Sequence, residues 1–197
     1  MWIPRSRRKA DRQVSTAREL PWWLIFDADC CSIGREASSD GKSTLLRHSN
    51  ADPDVQCYQL KTPLHSAAYH KDIEVVQESL DLEADVNVRD ELGRTPLRYA
   101  PLNPSRYTNM STFSILSGNV VQLSLDRGAD INTQRNGDCQ TPLHTTVYRK
   151  CIEVVRVLLE HGADVGAEDK RGRTPFELAK EHGYNEIMKL LSEHGAE

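Results

Sequence analysis

The sequence predicts an all-α solenoid, built from about four to five stacked helix pairs joined by hairpin-like loops. Three observations predict it. Thr-Pro recurs at 62, 95, 141 and 174, with gaps of 33, 46 and 33 residues, and a repeated spacing of this length marks a repeat architecture. The segments around the Thr-Pro pairs agree well beyond those two letters, as in TPLHSAAYHKDIEVVQESLDLEADVNVRDELGR from Thr62 and TPLHTTVYRKCIEVVRVLLEHGADVGAEDKRGR from Thr141. Within the second of these, Ile152, Val154, Val155, Leu158 and Leu159 fall at helical spacing. One helix pair cannot bury its apolar face alone, whereas stacked pairs can.

Each part of a unit has a local cause. Thr is a good N-cap, and Pro directly after it takes the first helical position, where its missing N–H is not needed. His161-Gly162 ends the second helix, with Gly supplying a left-handed residue. Asp169 to Gly172 is a turn.

Over residues 62–197 these segments resemble ankyrin repeats, and the motifs are specific. The resemblance implies a turn, two antiparallel helices and a hairpin-like loop per unit. The units are 62–94, 95–140 with a 13-residue insert, 141–173 and 174–197. The last reads as a C-terminal cap with a wetter face from Lys180, Glu181, Lys189, Ser192 and Glu193, and no further domain is expected after it. The resemblance also implies that His65 and His144, in TPLH, are internal braces bonded to backbone between units.

The pattern extends upstream in weaker form. NADPDVQCYQLK, 50–61, lines up with EADVNVRDELGR and GADVGAEDKRGR, and Asn50 falls where Gly162 falls. Residues 29–61 therefore read as a degenerate N-terminal repeat, with a first helix near Cys30 to Ser38. Gly41-Lys42-Ser43-Thr44 looks like the end of a phosphate-binding loop. That motif needs a Gly with four residues between it and the Gly-Lys pair, and Glu36 stands there. A nucleotide-binding enzyme is therefore the least favoured reading. Residues 1–28 form a basic arm, in which Trp22 and Trp23 either fold over the end of the stack or only shield local surface.

Two units depart from the pattern. In the second, Pro101 and Pro104 should break a normal first helix. A helix over Ser111–Leu116 is expected to replace it, with TFSIL packing inward, and regular pattern resumes over 117–132. PLNPSRYTNMST, 101–112, reads as a surface loop, a tolerated insertion rather than a partner-specific excursion. An incorrectly joined gene would leave the same trace. In the first unit, Glu78 and Ser79 align with Val157 and Leu158, and Glu83 takes the cap position of Gly162. The N-terminal half is expected to open more readily than the C-terminal half.

Composition bounds the function. Apolar residues make up 38% and charged ones 27%, the mix of a soluble globular protein. The net charge of −4 argues against a general nucleic-acid binder. It is uneven: residues 1–20 carry six Lys/Arg against two acids, and residues 61–197 carry sixteen against twenty-one. A nucleic-acid role would rest on the arm at 5–12 alone. The longest apolar run, Leu20 to Phe26, is far short of a membrane span. Five cysteines without C-x-x-C spacing read as reduced thiols in cytosol or nucleus.

No catalytic motif, metal site or cofactor is expected, and the chain reads as a monomer and not an enzyme. The resemblance implies a protein–protein interaction module, an adaptor, scaffold or inhibitor, that binds a protein partner of unknown identity through a concave groove and loop tips. A targeting subunit for a separately encoded enzyme is the alternative. The residues expected to touch the partner are Tyr69, His70, Tyr148 and Arg149 in the groove, and Tyr58, Glu91, Leu92, Lys170 and Arg171 at the tips.

Overall fold

The computed structural model describes residues 53–56, 58–102 and 109–196. The basic arm, the greater part of the degenerate repeat and Gly41-Lys42-Ser43-Thr44 lie outside them. After a 3-10 turn at Tyr58–Leu60 the described residues form eight helices. These are α1 (Pro63–His70), α2 (Ile73–Asp81), α3 (Pro96–Tyr99), α4 (Met110–Asp126), α5 (Pro142–Tyr148), α6 (Ile152–Glu160), α7 (Pro175–Glu181) and α8 (Asn185–Glu193). No strand appears among the described residues.

The helices stack in two layers. Inner helices α1, α3, α5 and α7 pack in series, and outer helices α2, α4, α6 and α8 pack in series behind them. Every inner helix starts as its Thr-Pro predicts. Thr62, Thr95, Thr141 and Thr174 are extended N-caps, each with Pro in the first turn. The core lies between the layers, where Leu64, Leu97, Leu143 and Leu178 of successive inner helices are all buried. On α6 the helical spacing buries Val154, Val155, Leu158 and Leu159.

The second repeat differs from the expectation. The inner helix is not replaced: α3 forms where TPLRYA stands, but it is a single turn that ends before Pro101. Ser111–Leu116 belongs instead to the start of the outer helix, which runs unbroken for 17 residues. Asn109 caps it, its side chain accepting from the Ser111 N–H at 2.7 Å. Nothing between Leu116 and Ser117 interrupts the i to i−4 ladder, because Ser and Gly in a helix interior cost too little to break it. Of TFSIL, Phe113 is fully buried while Thr112 and Ile115 are exposed.

The weaker N-terminal pattern has a structural basis. Ser79 and Ser124 are buried where α6 has Leu158, and each hydroxyl returns to its own helix backbone at 2.8 Å. That satisfies the hydroxyl but forgoes about 1.5–3 kcal/mol of Leu burial at each place. Glu83 adopts φ 64°, where Gly128, Gly162 and Gly195 sit at 87°, 78° and 93°. A side chain there is strained by about 1–2 kcal/mol. Glu83→Gly should therefore raise stability by about 0.5–1 kcal/mol after Gly's own entropic cost, read by urea unfolding. Amide exchange in the parent should be faster in α2 than in α6. Equal protection in both would remove the asymmetry.

Candidate functional site

The loops between repeats are joined tip to tip by backbone hydrogen bonds. The Glu91 N–H donates to Gln59 O at 3.1 Å, Asn136 N–H to Leu92 O at 3.1 Å, and Lys170 N–H to Asp138 O at 2.8 Å. A second row runs beside it. Asp54 accepts from the Asp85 N–H at 3.0 Å, Asn87 from Asp130 at 2.7 Å and Asn132 from Asp164 at 3.0 Å. Asp54 thus makes, one unit upstream, the bond that Asn87 and Asn132 make downstream. With their backbone groups engaged, the tips hold their side chains outward in a fixed row.

The first and third tips are braced from inside. Asp90 Oδ1 accepts from the N–H groups of Leu92 and Arg94 at 2.9 and 2.8 Å, and Asp169 Oδ1 from those of Arg171 and Arg173 at 2.8 and 3.0 Å. Burial alone would raise both carboxyls. The bonds from Arg94 and Tyr99 to Asp90, and from Arg173 to Asp169, outweigh it and hold both below the usual range. The second tip lacks this brace. Arg135 stands in place of the aspartate, and the loop carries one extra residue before Thr141.

His65 and His144 are internal braces, as the resemblance implied, but each reaches the last backbone carbonyl of its own unit, not the next unit. The Thr62 N–H and hydroxyl lie 3.2 and 3.0 Å from His65 Nδ1, and Nε2 is 3.0 Å from Arg94 O. His144 repeats this with Thr141 and with Arg173 O at 2.9 Å. Because Nδ1 accepts from backbone, the proton sits on Nε2, which donates to the carbonyl. Desolvation by burial lowers both histidines below their ordinary pKa. In the second repeat Arg98 fills the histidine position and donates to Gln140 O and, at 2.7 Å, to Thr145 Oγ1. In the last, Glu177 accepts from its own cap, Thr174, at 2.8 Å.

The nine residues expected to touch a partner divide into two rows. Glu91, Leu92, Lys170 and Arg171 are exposed at the tips, Leu92 at 46%. Tyr58 belongs to the turn before them, and its side chain lies outside the described residues. Tyr69, His70, Tyr148 and Arg149 lie at the far end of the inner helices, about 10 Å from the hairpins at 1.5 Å per residue. Tyr148 is 55% exposed, edge-on to His182 at 5.7 Å, and His182 stacks on Tyr184 at 5.4 Å. The Arg149 guanidinium lies 5.8 Å from the Tyr148 ring centroid. Tyr69 and His70 are half-buried instead, the Tyr69 ring standing against Tyr99 at 6.2 Å.

Sequence reading missed one feature. Arg89, Asn132, Arg135 and Asn136 line an open hollow of about 540 Å³ beside the second tip. The available signal was the Arg at 135, seven residues after Gly128, where Asp169 follows Gly162 by the same interval.

Stacked helix pairs with a row of hairpin tips define a helical repeat scaffold. The sequence models for Ankyrin repeats (many copies) and Ankyrin repeats (3 copies) match residues 45–100 and 111–197. An ankyrin repeat protein of Rickettsia felis is 30% identical over 185 residues, covering 90% of this chain and 70% of its own length. One of Rickettsia bellii is 30% identical over 141 residues, covering 66% of this chain and 80% of its own. Tyrosine-protein kinase Shark of Drosophila melanogaster is 30% identical over 183 residues, 90% of this chain but 18% of the kinase. The chain belongs to the ankyrin repeat family, whose repeats are generally protein-interaction modules. No helix among the described residues is long and apolar enough to cross a membrane.

Proposed function

We propose that the chain is a non-enzymatic binding module, an adaptor or inhibitor that holds a protein partner along its hairpin tips and inner-helix face. The observation that carries this is the tip row. Three inter-repeat backbone bonds fix its spacing, and it presents Glu91 and Leu92 at one loop and Lys170 and Arg171 at another. Such a preorganised strip, acidic and apolar at one end and basic at the other, suits an amphipathic partner segment.

Affinity capture followed by mass spectrometry tests this, with the full chain as bait. A Leu92→Asp/Lys170→Glu variant of unchanged helical circular dichroism should release the partner. Tyr148→Ala/Arg149→Ala reports separately on the helix-end row. Retention by both variants would contradict the proposal.

The likeness to 18% of a tyrosine-protein kinase supports a second reading, in which the chain targets a separately encoded enzyme. The captured complex would then carry an activity that the isolated chain lacks.

A further inference from the structure

The hollow beside the second tip is chemically unlike the rest of the row. Its lining holds two guanidinium groups, Arg89 and Arg135, against one carboxylate, Asp130, in a chain of net charge −4. Asp130 is already engaged, accepting from the Asn132 N–H at 3.0 Å. Arg89 is exposed and has no carboxylate within ion-pair distance among the described residues.

Arg135 is only partly committed. One guanidinium nitrogen pairs with Asp138 at 3.1 Å, while its Nε has no acceptor among the described residues. Its side chain is 35% exposed. An unmet guanidinium donor carries a desolvation penalty, which an incoming acceptor would relieve.

In the first and third tips the equivalent residue is an aspartate that folds back on its own loop. The second tip has Arg135 there instead, beside Arg89 of the preceding loop, and its carboxylate comes from Asp138, which accepts from the Gln140 N–H at 3.3 Å and pairs with Arg135. Asn132 and Asn136 add side-chain amides on the same wall. Planar guanidinium groups beside amide donors suit a planar oxyanion.

The hollow's surroundings indicate where that oxyanion comes from. The site is open rather than enclosed. Asn136, on its wall, is bonded through its N–H to Leu92 O, next to the most exposed apolar side chain of the tips. A ligand seated there would lie across the tip row.

We infer that the hollow is a subsite for an aspartate or glutamate side chain of the partner segment, with an apolar partner residue beside it on Leu92. This rests on the tip row being the docking surface and adds the chemistry that the partner must present.

Selection of short random peptides displayed on phage, against the full chain, tests it. Recovered peptides should carry Asp or Glu at a fixed distance from an apolar residue. Their affinity should fall about tenfold or more in Arg89→Gln/Arg135→Gln, the loss of a charged hydrogen-bonded pair, with unchanged circular dichroism. Peptides that need no acidic residue, or that bind the double variant as well as the parent, would overturn the subsite. If those same peptides were lost on Leu92→Asp, the docking surface would stand without it. Competition by inorganic phosphate at micromolar concentration would make this a small-anion site and overturn the inference. Peptides indifferent to Leu92→Asp would overturn the docking surface as well.

Discussion

Arg98→Ala is expected to destabilise the array by about 2–4 kcal/mol, while Arg98→His stays within about 1 kcal/mol of the parent. Arg98 is 2% exposed in the middle of the stack. It has no ion-pair partner within 4.0 Å among the described residues. Burial drives its pKa down to about 10, with the Asp138 charge opposing at longer range. Its hold is directional instead. One guanidinium nitrogen donates to Gln140 O and another, at 2.7 Å, to Thr145 Oγ1 on α5, so a single side chain ties α3 to the second hairpin and the next inner helix.

Truncation would leave a cavity and remove two donors, and relief of the buried charge would offset only part of that loss. Histidine performs the same task in the first and third repeats without a buried charge. Chemical unfolding at neutral pH followed by circular dichroism measures the series. An alanine variant as stable as the parent would show that Arg98 is not a brace.

Stability should fall as pH drops below about 6.5, well before carboxylates protonate. His65 and His144 have pKa values lowered in the folded state, first by desolvation. The geometry agrees with this direction, since protonating Nδ1 would set N–H against the backbone N–H of Thr62 or Thr141. Between the folded value and about 6.5, the unfolded chain binds a proton at each site and the folded chain does not. The stability is therefore complete above about pH 6.5 and is lost on acidification. Each histidine contributes up to about 1.4 kcal/mol per pH unit. Asp90 and Asp169, with lowered values, lose their contribution only below the ordinary carboxylate range.

Unfolding midpoints across this range should slope downward toward acid in the parent. The slope should flatten in His65→Gln/His144→Gln, which is less stable overall. An unchanged slope in that variant would assign the acid sensitivity elsewhere.

The sequence by itself determined the repeat and its register. Thr-Pro fixes where each inner helix starts, because an extended Thr cap and a Pro at the first helical position are local effects. The apolar spacing of α6 and the His of TPLH carried over directly into burial and bracing, since each depends on a motif contained in one unit. The exposed tips, Glu91, Leu92, Lys170 and Arg171, were legible for the same reason.

Only the tertiary structure decided the second repeat and the surface around it. Ser111–Leu116 has the composition of an inner helix, but which layer it joins depends on contacts with α2 and α6 from other units. Tyr69 and Tyr148 occupy the same position in the repeat. One is half-buried against Tyr99 and the other is exposed against His182, because their neighbours in the stack differ. Arg89 and Arg135 are 46 residues apart in the chain and share a hollow only because consecutive loops stack. A period records what each unit does for itself, and the contacts between unlike units are set by packing in three dimensions.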